Sequence, residues 1–185
     1  MKKKYIIWAI VAVVLLAAVI ITAVVLINKK NAPFKNKVAD SLPGYESAVM
    51  YRNSGDAELI KYGKYTYKNV TDEILSKNEY LKKIDLSTLN ISDMEALTSA
   101  TEQFDLMLGT LDDASAESVA DITANFDFDL GSIGAPNYFY VETVTGDKTD
   151  ETPSPETCDK IYIYYFDVEA QTLYYFYVNQ KGVTK

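Results

Sequence analysis

One unbroken apolar run, Tyr5 to Ile27, limits what this chain can become more than any other feature. It spans 23 residues without a charge, a proline or a glycine. About 20 such residues cross the hydrocarbon core of a bilayer as a helix. Tyr5 and Trp8 stand at one end, where amphipathic aromatics settle at an interface. Lys2, Lys3 and Lys4 precede the run, and Lys29 and Lys30 follow it. It is longer than the apolar core of a cleaved signal peptide, and no small-x-small cleavage site follows it. The run therefore predicts a retained signal anchor, with membrane lipid as its partner over residues 5–27. Flanking lysines are balanced on the two sides. A four-residue tail holding three lysines crosses a membrane poorly, so residues 1–4 are expected in the cytoplasm and the domain after the span outside it.

Charge divides the chain at the same place. The first 37 residues hold seven lysines and no acid. From Val38 onward, 11 basic residues stand against 26 acidic ones, a net −15. A domain this negative repels phosphate backbones, which argues against nucleic-acid binding. There is no histidine, so the commonest general base and metal ligand are missing. The single cysteine, Cys158, has no internal disulfide partner.

Residues 28–44 read as a juxtamembrane linker, with Pro33 ending the anchor and Leu42-Pro43-Gly44 marking a turn. Residues 45–185 then read as one acidic, tyrosine-rich α+β domain. Ile60–Val70 suits a strand with a bulge at Gly63. Thr71 is placed to cap a helix running to about Lys83. Ser92-Asp93-Met94-Glu95 forms a capping box. After it Met94, Leu97, Thr101, Phe104, Leu108 and Leu111 recur at steps of 3 and 4, one helical face. A short helix is expected within Asp113–Asn125, and Phe126–Leu130 alternates like a half-buried strand. Asn137–Val144, Lys160–Val168 and Leu173–Asn179 read as further strands, the last two joined as a hairpin. Gly146–Asp159 reads as a polar, mobile loop. The expected fold is thus a transmembrane helix, then two or three helices packed on an antiparallel sheet of about four strands.

Two surfaces stand out as candidate sites. Both faces of the final hairpin are apolar or aromatic, so one of them either fills a core or presents a platform. Tyr162, Tyr164, Tyr175 and Tyr177 are the candidate binding residues, because flat exposed aromatics stack on sugars or anchor a protein partner. The second surface is acidic: residues 85–159 hold 17 acids and one base, Lys148, a field suited to cations or a basic partner. Asn125-x-Asp127-x-Asp129 resembles the opening of a calcium loop, but Leu130 stands where glycine is needed and Pro136 where glutamate is needed. No metal or cofactor is therefore expected. Without histidine no serine is activated, and no phosphate-binding glycine motif occurs. Asn69-Val70-Thr71 and Asn90-Ile91-Ser92 fit the glycosylation pattern, which matters only in a eukaryotic secretory pathway.

In general style, a lysine-started anchor before a small acidic domain, the chain resembles cell-surface proteins of Gram-positive bacteria. No motif carries residues across from them. The expected function is a non-enzymatic interaction domain held outside the cytoplasm, facing an envelope protein or polysaccharide. The alternative is an accessory subunit that contacts a membrane complex through Ala9, Ala12, Ala17, Ala18 and Ala23 of the anchor. A small surface enzyme is a third reading.

Overall fold

The structure, a computed structural model, describes residues 36–85, 87, 91–149 and 154–182. The expected tail 1–4, the expected span 5–27 and the linker as far as Lys35 lie outside these residues. Among the described residues, no helix is long and apolar enough to cross a membrane. The expected architecture is corrected accordingly: the fold is α+β, with a seven-stranded antiparallel sheet in place of about four strands, and four helices.

The strands are β1 (Ser47–Arg52), β2 (Ile60–Thr66), β3 (Lys82–Lys83), β4 (Tyr138–Thr145), β5 (Lys148–Thr149), β6 (Lys160–Asp167) and β7 (Thr172–Asn179). Their order across the sheet is β1-β2-β7-β6-β4-β3, with β5 folded back on β4. The helices are α1 (Lys37–Asp40), α2 (Asp72–Ser76), α3 (Ile91–Ala114) and α4 (Ala116–Asn125). Single 3-10 turns occur at Leu130–Ser132 and Gln180–Gly182.

Alternation along the strands sends side chains to two faces, and both faces are cores. On one face, Ile60, Tyr62, Ile161, Ile163, Tyr165, Phe176 and Val178 pack with Leu97, Ala100, Phe104 and Met107 of α3 and Val119 and Ile122 of α4. On the other, Tyr65, Tyr138, Tyr164, Phe166, Leu173, Tyr175 and Tyr177 pack with Val38, Ala39, Leu42, Val70, Leu75 and Leu81.

The helices follow local chemistry. Asn36 caps α1: its Oδ1 accepts the N–H groups of Val38 and Ala39 at 3.2 and 3.1 Å. Lys37–Asp40, inside the expected linker, is thereby helical, with Val38 and Ala39 against the sheet. Thr71 caps α2 as its sequence implies. That helix stops at Ser76, short of Lys83, because Asn78 Oδ1 accepts the N–H groups of Tyr80 and Leu81 and turns the chain. Leu81 is then buried, and Lys82 and Lys83 pair with Phe139 and Tyr138. Helix α3 starts at Ile91, ahead of the expected cap Ser92, and buries the expected face at Leu97, Thr101 and Phe104.

Three strand readings change. Phe126–Asp129 is extended but pairs with no strand: Phe126 and Phe128 pack on the sheet face against Phe176. Gly63 makes no bulge, since it stands in register between Met50 and Tyr175. Met50 lies over it, with Cε 2.7 Å from where a Cβ would stand. Ser47–Arg52, without a strand signal in its sequence, is β1.

Candidate functional site

The four tyrosines proposed from sequence do come together. Tyr162 pairs with Tyr177 and Tyr164 with Tyr175 across the β6–β7 ladder, with ring centroids 5.2 and 5.3 Å apart. They do not form an open platform. Tyr164, Tyr175 and Tyr177 are 4%, 7% and 5% exposed, and only Tyr162 is half-buried. Burial raises the hydroxyl pKa of all four, that of Tyr177 to about 12. Lys61 closes one end, its Nζ 5.0 Å from the centre of the Tyr177 ring.

Three of the acids serve tyrosine hydroxyls. Tyr62 donates to Asp127 at 2.6 Å, and Lys64 reaches the same carboxylate at 2.8 Å. Tyr138 donates to Asp72 at 2.6 Å, and Lys83 reaches it at 2.7 Å. Tyr140 donates to Glu142 at 2.8 Å, and Lys37 pairs with that carboxylate. The Lys37 ammonium also sits 5.2 and 5.1 Å from the Tyr80 and Tyr140 ring centres, a cation–π contact. Desolvation lowers its pKa. A buried hydroxyl needs an acceptor. Here a carboxylate provides it, and a lysine balances the carboxylate's charge. These three triads tie Asp127, Asp72 and α1 to the sheet, so they hold the fold.

The pKa shifts of the acids point the same way. Hydrogen bonds from Lys83 and Tyr138 hold Asp72 low. Burial works to raise Asp127, but the bonds from Lys64 and Tyr62 outweigh it and hold it low. Lys181 and the Gly146 N–H hold Asp159 low. A general acid needs a carboxyl displaced upward, and these three move down. The trio whose spacing resembles the opening of a calcium loop is also divided. Asn125 Nδ2 donates to Asp121, Asp127 serves its triad, and Asp129 accepts the Gly131 N–H. Among the described residues, no group of three or more His, Cys, Asp or Glu could hold a metal ion.

The acidic surface contains a built depression. Two adjoining hollows of about 450 and 360 Å3 share Glu95, Ser99 and Glu156. Ile91, Met94, Glu95, Thr98 and Glu102 line it from α3. Ile91, Glu95, Thr98 and Glu102 recur at steps of 4, 3 and 4, a stripe beside the buried face, with Met94 next to Glu95. Ser154–Thr157 forms the other wall. This wall is fixed at several points. Ser99 donates to Glu156 at 3.2 Å and Gln180 to the Pro155 carbonyl at 2.9 Å. The Ser154 N–H reaches Thr143 at 3.3 Å, and the Asp159 N–H reaches the Val144 carbonyl at 2.8 Å. Cys158 is 4% exposed and part of the core. The expected loop is therefore an anchored wall over 154–159, with its thiol inside, while residues 150–153 lie outside the described residues. Ile91 is 75% exposed at the mouth. Glu95, Glu102 and Glu156 make no ion pair among the described residues.

Sequence reasoning found the acidity of this region but not the hollow. Its apolar members, Ile91 and Met94, open α3, and its facing wall lies some 60 residues later, Ser99 to Glu156 being separated by 57. No family model, curated protein or solved structure matches the chain.

Proposed function

We propose that the domain is a non-enzymatic binding module, and that the hollow beside α3 docks a cationic, amphipathic segment of a protein partner. The observation that carries this reading is the pairing of apolar Ile91 and Met94 with Glu95, Glu102 and Glu156 in one hollow. Apolar contact gives affinity, and carboxylates give sign selectivity and fast encounter. The fixed 154–157 wall keeps the ordering cost of binding low. A polysaccharide is the weaker candidate, because three of the four hairpin tyrosines are inside and offer no open ring for stacking.

The test uses a leucine–lysine amphipathic peptide titrated against the full-length chain by fluorescence anisotropy. Replacing Glu95, Glu102 and Glu156 by Gln should weaken binding by about tenfold or more. Replacing Asp105, Asp112 and Asp113 by Asn removes the same charge from the exposed remainder of α3 and should change it little. Equal losses in both triple variants would reduce the binding to bulk charge attraction and sink the proposal.

A further inference from the structure

Strand β1 is the outer strand of the sheet: β2 pairs with it on one side, and no described strand pairs with it on the other. The Asn53 N–H donates to the Ile60 carbonyl at 3.3 Å, extending the β1–β2 register by one residue. Residues of an antiparallel strand alternately turn their main-chain groups toward and away from a given neighbour. Asn53 faces β2, so Tyr51 and Val49 do too. Ala48, Met50 and Arg52 therefore turn their N–H and C=O groups out of the sheet. An open row of this kind is a template for a further strand, and proteins usually blunt it with proline, lysine or a bulge. Ser47–Arg52 contains neither proline nor lysine and keeps continuous register with β2.

The strand is also complementary to itself. Rotated about a two-fold axis through Val49, it meets its copy antiparallel, with Val49 opposite Val49 and Ala48 opposite Met50. Ala48 and Met50 then exchange main-chain hydrogen bonds in both directions, as a hydrogen-bonded pair must. The ladder ends at Ser47, because the Glu46 N–H turns inward to the Thr66 carbonyl at 2.8 Å, but the same register brings the Arg52 and Glu46 side chains together at both ends. Arg52 is the chain's one arginine, exposed and without an ion pair among the described residues. Glu46 holds only an exposed contact with Lys68 at 3.4 Å. Val49, at the axis, is one of the few large hydrophobic side chains left exposed, at 42%. A domain of net −15 resists self-association in general, but Ser47–Gly55 carries no carboxylate. We infer that this edge binds a second copy of the chain, joining two seven-stranded sheets through β1. The inference is independent of the hollow beside α3.

A cross-strand cysteine tests it, because side chains at a non-hydrogen-bonded pair lie close enough for a disulfide. In the full-length chain carrying Cys158→Ala, Val49→Cys should give, under mild oxidation, about tenfold more disulfide-linked dimer than Lys68→Cys. Arg52→Glu should reduce that dimer several-fold, and adding Glu46→Lys should restore it. Sedimentation equilibrium of the unmodified chain guards against misfolded variants and should show a mass rising with concentration toward two chains. Dimer from Val49→Cys no greater than from Lys68→Cys would overturn the inference, as would a single-chain mass at every concentration.

Discussion

Tyr62, Asp127 and Lys64 show how single residues share the work of burial. Tyr62 is fully buried, and its hydroxyl meets Asp127 at 2.6 Å. Hydrogen bonds to charged groups contribute about 1.5–3 kcal/mol, and partial exposure of Asp127 places this one toward the lower end. Tyr62→Phe should therefore cost about 1–2 kcal/mol in urea unfolding. The pH dependence follows from the direction of the Asp127 shift. Its folded pKa lies below the ordinary 3.8, so its contribution is complete above that value. It is lost as pH falls through the lower folded pKa. Asp127→Asn should flatten the stability curve on the acid side of pH 4, read by denaturant unfolding at successive pH values. An unchanged acid limb would remove Asp127 from the account.

At the scale of elements, α3 carries the packing of one face. Phe104 is 1% exposed and lies 5.1 Å from Phe176 and 5.8 Å from Phe126, centroid to centroid. Phe104→Ala should cost about 3–5 kcal/mol in denaturant unfolding, whereas Leu106→Ala, at a position 63% exposed, should stay within about 0.5 kcal/mol. This helix was legible because its 3–4 periodicity is long and regular. The β6–β7 hairpin was legible through its dense aromatics. Strand β1 was not, because an edge strand buries little and Ser47–Arg52 lacks clear alternation. Phe126–Asp129 misled in the opposite sense: its alternation is real, but it expresses a chain laid across a sheet face, with Asp127 bonded to side chains. The extent of α2 turned on one side-chain contact, Asn78 to Tyr80 and Leu81, which periodicity does not encode. The acidity of the candidate site was visible in composition. Its hollow was not, because α3 and residues 154–157 meet only in three dimensions.

For the molecule as a whole, the tyrosine-rich double core makes alkali the weak side. Burial pushes Tyr65 and Tyr177 up to about 12, and raises Tyr62, Tyr138, Tyr164 and Tyr175 further. With folded values above the ordinary 10, these hydroxyls contribute stability that is complete below pH 10 and lost as pH rises through the folded pKa values. Tyrosinate absorbance should therefore rise for the buried set together with loss of far-UV ellipticity, above pH 10. Ionisation of all the tyrosines near pH 10 with ellipticity intact would contradict the burial described. The strand order bears on the time course of synthesis as well. Strand β7 lies between β2 and β6, so the β1–β2 hairpin cannot join the rest of the sheet until β7 has been made. The contact between Val70 and Gln171 at that junction spans 101 residues. At ribosomal rates of about 5–20 residues per second, the nascent hairpin waits roughly 5–20 s with Tyr62, Tyr65 and the β2 edge uncovered. In that interval a chaperone, or the hairpin of a neighbouring nascent chain, has first access to surfaces that the finished domain keeps for itself.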